Sequence, residues 1–432
     1  MIQLNYLALF FLWPSVLLAE QVKTPLPDPL TLEAALSLAS DMSHADIIQA
    51  DSLIEMAESD LRRAESGYAL EADISLQARW SDPSSLPGEQ SNDDHRAILS
   101  FRKPLYDFGQ TEKNVAAAEI EKAALTDSMS YWLQKRKIDI ARAFFDVILA
   151  DYKERWDNET VVISYVHHDA AKDRHALGEI SDLDLLKSKN ELEFLQSQRS
   201  ISRTQQLVAR SQLAEVINRP GDLSSNLKLP ELNYYQRKLP EYDKLSQQLM
   251  GFNQSLRLLA ARVDAAEKKL AATQAQDNPR LTAEVRFSEY ERTLASNNDW
   301  LAELKLTVPL LAHDGMKADI SKARSHWLNQ RAMLLKAQTD ARQKLLQLWQ
   351  KISYLNVQRS QMLTAMEYRE LDLDRNRVLY EMEAATDFGD ALVAISETRY
   401  KQLQIDFELA LAWMNLELMF DGQINFDGSG NE

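Results

Sequence analysis

The tripeptide Asp-Phe-Gly occurs twice in this chain, as Asp107-Phe108-Gly109 and as Asp387-Phe388-Gly389. In phosphotransferases such an aspartate holds a magnesium ion over a bound nucleotide. The rest of that machinery is missing. The sequence has no glycine-rich phosphate loop, no His-Arg-Asp catalytic segment, no GxSxG elbow and no HExxH zinc motif. Its carboxylates fall on helix faces without a paired-pocket signal, so no enzymatic activity is expected. His168 and His175 stand near Asp169 and Lys172 but lack compact metal-ligand spacing. They read as solvated helix surface, and neither a metal nor another cofactor is expected.

Asp387 and Asp390 are more informative. Spaced i and i+3 at the start of a helical stretch, they fall on one face. Helix capping alone would favour acids there, since carboxylates suit the positive end of the dipole. Ser181-x-x-Asp184 likewise satisfies a capping box, and Gly178 suits a left-handed helix exit.

These residues must be positioned by few, very long elements, because 432 residues contain only 11 Gly and 12 Pro. Hydrophobic residues make up 45% and charged residues 26%, enough to bury a core. A formal charge of −16 argues against nucleic-acid binding and favours cation handling or an acidic interior. With no cysteine there can be no disulfide, thiolate metal site, cysteine nucleophile or cysteine-linked lipid. The apolar run from Leu4 to Leu18, followed by Ala19 and Glu20, reads as a secretory signal peptide over residues 1–19. No later run approaches the roughly 20 apolar residues of a membrane helix, so any membrane entry must be as a barrel.

The chain is also duplicated. Pro104-Leu105 with Gly109 matches Pro309-Leu310 with Gly315, and Ser181-Asp182-Leu183 matches Thr386-Asp387-Phe388, at an offset of about 205 residues. The expected plan is a first repeat over residues 20–217, a linker or equatorial region over 218–241, a second repeat over 242–420 and a tail over 421–432. Each repeat opens with a helix, residues 32–70 or 242–276, and continues into a hairpin of alternating strands. Ile74, Leu76, Ala78 and Trp80 alternate with polar residues, as do Leu281, Ala283, Val285 and Phe287, and Leu99 and Phe101 lie on the shorter partner of the first hairpin. Proline cannot donate to a ladder, so Pro104 and Pro309 should end the strands, with Gly109 and Gly315 completing the strand-to-helix junctions.

A helix of nearly 70 residues follows in each half, roughly 100 Å long, and a helix of about 35 residues then returns. Ala141, Phe145, Ile148 and Tyr152, and later Leu403, Phe407, Ala410 and Met414, keep coiled-coil spacing. The lengths suggest a layered tube in which two stacked short helices accompany each long one. Four strands per chain cannot close in lipid, whereas three chains would supply twelve. The fold class expected is therefore mainly α, a long coiled-coil tunnel with a small membrane β-barrel shared by a homotrimer. A sandwich packed on a soluble core is the competing reading of the strands.

In order and duplication this pattern resembles the outer-membrane factor family typified by TolC, the trimeric exit ducts of bacterial efflux pumps and type I secretion systems. The resemblance spans residues 32–420. It rests on Pro104-Leu105-Tyr106-Asp107-Phe108-Gly109, the looser copy from Pro309 to Gly315, the turn Gly178-Glu179-Ile180-Ser181, and Asn218-Arg219-Pro220-Gly221. It implies a passive channel in the cell outer membrane that extends into the periplasm and works with a periplasmic adaptor and an inner-membrane transporter. Residues 218–241 and the tail after Phe420 would form a collar around the tunnel. Asp387 and Asp390 match the aspartates that ring the periplasmic aperture. Gly178, Glu179, Ile180 and Ser181, with Glu383, Ala384, Ala385 and Thr386, would meet the adaptor. Gly389 departs from the bulkier apolar residue usual between the aspartates. The alternative is a periplasmic coiled-coil adaptor or scaffold with no barrel, though adaptors usually contain one helical hairpin rather than two such repeats.

Overall fold

The structure, a computed structural model, describes residues 25–81, 93–221, 226–292, 297–310, 314–382 and 388–422. The expected signal peptide lies outside these residues, as do Asp387, Glu383, Ala384, Ala385, Thr386 and all of the tail but Asp421 and Gly422.

The four strands are β1 (Glu71–Gln77), β2 (Arg96–Tyr106), β3 (Arg280–Tyr290) and β4 (Trp300–Thr307). They form one antiparallel sheet in the order β1-β2-β3-β4, so the two hairpins join through β2 and β3. Two expectations are corrected here. β2 is longer than β1, and Pro104 does not end it: the strand runs on to Tyr106 through a register shift between those two residues. β1 ends its pairing opposite Arg102, so beyond that point Pro104 sits at an irregular, half-released edge where a missing donor is tolerated.

The first expected helix is divided into α1 (Leu32–Ser37) and α2 (Ala45–Glu65), separated by a turn in which Asp41 accepts from Ser43 and His44 caps α2. Its counterpart is divided at Asn253, whose side chain accepts from the Leu256 amide, a competition with the helix ladder that periodicity does not reveal. The first long helix, too, is in two pieces: α3 (Gln110–Asp127) and α4 (Met129–Ala176) meet at Ser128. Then come α5 (Asp182–Val216), α6 (Tyr242–Phe252) and α7 (Gln254–Gln274). In the second half α8 (Asp314–Glu381) is unbroken over 68 residues, or roughly 100 Å, and α9 (Phe388–Met419) returns along it. None of the described helices is long and apolar enough to cross a membrane.

Near the sheet the helices pack as a wall, α2 on α3, α3 on α7 and α7 on α8. Farther away the wall continues as α5, α4, α9 and the second half of α8. The two coiled-coil seams expected from spacing meet each other: Phe145 stacks on Phe407 at 4.3 Å, with Ala141, Ile148, Leu403 and Ala410 buried around the pair. A second core cluster joins α6, α8 and α9 around fully buried Trp413. Outside this level runs irregular chain. Leu227 pairs with Leu30, the Pro240 carbonyl accepts from Trp349, and Arg359 lies over the Tyr235 ring while it binds Asp406 at 2.7 Å.

Candidate functional site

The sheet has two chemically distinct faces. Reading the register across the strands, Ala72, Ile74 and Leu76 share a face with Leu99 and Phe101, Val285 and Phe287, and Ala302, Leu304 and Leu306. The opposite face carries Glu71 and Asp73, Arg96 and Arg102, Glu284 and Arg286, and Glu303 and Lys305. Both faces are open in the single chain, the charged one at Glu71, Asp73, Glu303 and Lys305, and unlike in a water-soluble sheet no layer among the described residues covers the apolar one. Ile74 is 68% exposed, Leu76 74%, Leu304 73% and Leu306 60%, while Ser100 on the polar face is 7% exposed. On that polar face Glu284 is held by Arg102 at 3.3 Å and Arg286 at 2.6 Å, a paired cluster of three charges at its centre. Trp80 and Trp300 are exposed near strand ends.

The first Asp-Phe-Gly copy is the joint between sheet and wall. Phe108 at φ +54° and Gly109 at φ +96° turn the chain sharply from β2 into α3, and the glycine accepts this left-handed conformation without a Cβ clash. Having no side chain, Gly109 cannot cap α3. Asp107 does so from two residues upstream: one carboxylate oxygen accepts from the Thr111 amide at 2.8 Å, the other from the Gly109 amide at 3.2 Å and from the Tyr68 hydroxyl at 2.7 Å. Burial pushes this carboxyl up, but the hydrogen bonds from Thr111, Tyr68 and Gly109 outweigh it and hold it below the usual range. Burial and then the bond to Asp107 push the Tyr68 phenol up to about 12. Tyr68 and Thr111 escape a sequence reading because nothing in local spacing links Tyr68 to a residue 39 positions away. The second joint differs. Pro309 follows the end of β4, and Gly315 lies inside the first turn of α8 rather than in a left-handed turn.

At the far end, α4 closes with a Schellman arrangement: Gly178 has φ +78°, its amide donates to the His175 carbonyl and that of Glu179 to the Arg174 carbonyl, both at 2.9 Å. Ser181 and Asp184 form a complete capping box for α5. The Asp184 carboxyl is held below its usual value, chiefly by its hydrogen bonds with Ser181. Arg174 reaches Glu179 at 3.3 Å and His175 reaches Asp182 at 2.6 Å, so side chains strap the turn from both flanks. Glu179 and Ser181 are exposed, and Leu177, Leu183 and Leu186 present bare apolar surface beside them.

Solvation of both histidines is not what the structure shows. His168 is 6% exposed because α5 folds back over it, and its Nδ1 lies 2.8 Å from the Ser188 hydroxyl. His175 is the partly open one. Among the described residues no cluster of three or more metal-ligating side chains occurs.

Asp390 is exposed in the first turn of α9, next to Phe388, which stacks on Tyr380 of α8 at 5.7 Å. Gly389 has a packing role here. A Cβ at this position would lie 2.6 Å from Cδ1 of Ile163 and 3.3 Å from its Cγ1 and Cγ2. The glycine therefore lets α9 start close against α4.

A four-stranded sheet with a bare apolar face, set on a wall of helices about 100 Å long, has counterparts among solved structures. The outer membrane protein VceC of Vibrio cholerae superposes with a TM-score of 0.70 at 15% identity, over 92% of this chain and 97% of that one. The chain has the fold of the TolC-like outer-membrane channels. The CmeC outer membrane channel of Campylobacter jejuni matches the same TolC-like fold with a TM-score of 0.73 at 12% identity, over 98% of this chain and 93% of that one. The open MtrE outer membrane channel of Neisseria gonorrhoeae gives 0.68 at 15%, over 92% and 90%. No protein-family model matches the chain, and no curated protein matches it in sequence. Within the TolC-like fold, the sheet occupies the place of the barrel segment and the helix wall that of the tunnel segment.

Proposed function

We propose that three copies of this chain close into an outer-membrane exit duct that conducts solutes passively out of the periplasm. The observation that carries this reading is the two-faced sheet: apolar side chains bare on one face, charged side chains on the other, with Arg102 and Arg286 both held by Glu284. Such a surface is stable in lipid and costly in water. A lone four-stranded sheet leaves the outer edges of β1 and β4 unpaired, which lipid does not tolerate, and pairing β4 of one copy with β1 of the next satisfies both.

The strapped turn at residues 178–181, with the exposed leucines beside it, serves as the contact for a periplasmic adaptor. Glu383, Ala384, Ala385 and Thr386 contribute the second half of that contact. Energy for transport comes from an inner-membrane partner, in a tripartite efflux pump or a type I secretion system. Asp387 and Asp390 face the aperture at the periplasmic end, where three copies concentrate negative field.

Fractionation tests the assembly. A trimer in the outer-membrane fraction that falls to monomer on heating is expected, and recovery as an alkali-extractable soluble monomer would refute it. The aperture has its own test. Replacing Asp387 and Asp390 together with alanine should abolish the sensitivity of single-channel conductance to divalent cations, and unchanged sensitivity would remove both residues from the gate. Gly389→Leu, which forces α9 away from Ile163, should raise the resting conductance. Adding Ile163→Ala should restore it, because the lost side chain makes the room the leucine needs. Equal resting conductance in the parent and Gly389→Leu proteins would dissociate this contact from closure.

A further inference from the structure

A cavity of about 720 Å³ opens between α2, α3, α7 and α8 directly below the sheet, where Gly67 precedes β1 and Thr111 follows the Asp107 joint. Its lining includes both end members of the wall, α2 and α8, although the main packing runs in sequence from α2 to α3, α7 and α8. A cavity shared by the outermost helices of a curved wall lies on its concave side. In the trimeric duct this side is the lumen.

The floor is made of small residues, Ala117, Ala265 and Ala266, buried where the helices touch. Around it stand Arg63 of α2 and Arg262 and Lys269 of α7, with His326 of α8 at the rim. None of the three permanent cations has a carboxylate partner among the described residues; Lys269 donates instead to the Asn114 carbonyl oxygen at 3.0 Å. Elsewhere the wall pairs its cations, as Arg210 with Asp151 and Arg359 with Asp406. Asp60 and Glu121 also line the cavity, so three permanent cations meet two carboxylates there. That is a reversal of sign in a chain whose formal charge is −16. The polar face of the sheet continues it: Arg96, Arg102, Arg280, Arg286 and Lys305 stand against Glu71, Asp73, Glu284 and Glu303.

We infer that this groove is a lumenal subsite for polyanionic solutes bearing carboxylate or phosphate groups, held at the entrance to the barrel before release. The inference rests on the duct reading and adds a substrate class to it. Three grooves around one axis would present nine permanent cations against six carboxylates over a low, small-residue floor. A multiply charged anion gains most from such a ring, because its charges engage several cations at once. The attraction should weaken steeply with salt, since the cations are open to water.

The test uses the full chain in planar bilayers, with citrate added on the barrel side. Citrate should reduce the single-channel current in a dose-dependent way, sucrose at equal osmolality should not, and raising the salt from about 0.1 M to about 1 M should relieve the block. In the Arg63→Gln, Arg262→Gln, Lys269→Gln triple variant the half-blocking citrate concentration should rise at least about tenfold. The charge-preserving Arg63→Lys, Arg262→Lys, Lys269→Arg variant should stay within about threefold of the parent protein. Channels that citrate does not block, or that it blocks equally in all three proteins, overturn the inference and leave the duct intact. A parent protein that forms no channels overturns both.

Discussion

Arginine in place of Leu304 removes the chain from the outer-membrane fraction. Leu304 lies mid-strand in β4, 73% exposed, on the face shared with Ile74, Val285 and Phe287. In a soluble sandwich an exposed leucine changed to arginine would cost almost nothing. In lipid the same change costs about 2–4 kcal/mol near the midplane, and a trimer carries it three times. The expected outcome is loss of the heat-labile trimer and degradation or aggregation of the chain. Lys305→Arg, one residue along on the polar face, is the matched control and should assemble normally. If Leu304→Arg assembles as well as the control, the apolar face does not meet lipid.

The second large effect is at the joint. Asp107→Asn leaves the side chain in place but removes the charge that accepts three hydrogen bonds from Thr111, Gly109 and Tyr68. A cap of this kind contributes about 0.5–2 kcal/mol, and the half-buried Tyr68 hydroxyl loses its charged acceptor at the same time. The temperature at which the trimer dissociates should fall by several degrees near neutral pH. The acid dependence carries the sign. The folded Asp107 carboxyl titrates below its unfolded value, so its stabilisation is complete above the unfolded value of about 4 and is lost as pH falls through the folded one. The gap between parent and variant should therefore close in acid. A gap of equal size on both sides of that window would mean that shape, not charge, holds the joint.

The long helices and the alternation of the strands were legible because each is a periodicity of 2 or about 3.6 residues carried over many positions. The two seams were legible by the same logic, but that Phe145 of one meets Phe407 of the other was not, since spacing does not say which helices become neighbours. The breaks were not legible. Ser128 interrupts a helical pattern with no glycine or proline nearby, and Asn253 does so two residues after Gly251 through a side-chain bond to Leu256 that competes with the ladder. Pro104 misled in the opposite direction, because a proline at an irregular strand edge need not end the strand. His168 could be placed on a helix but not against Ser188, since burial depends on which helix returns over it. The groove of Arg63, Arg262 and Lys269 assembles from residues about 200 positions apart, beyond any local signal.

The two Asp-Phe-Gly copies thus have separate lives. Asp107 caps a helix where sheet becomes wall, and Gly109 permits the turn. Gly389 admits Ile163 of the neighbouring helix at the opposite end, beside exposed Asp390.

Single-channel recording from the purified chain in a planar bilayer tests the central claim most directly. The account predicts discrete conductance steps of uniform size from the heat-labile trimer, and none after heating to monomer. A protein that gives no steps at any concentration, while remaining a soluble monomer without detergent, would contradict it.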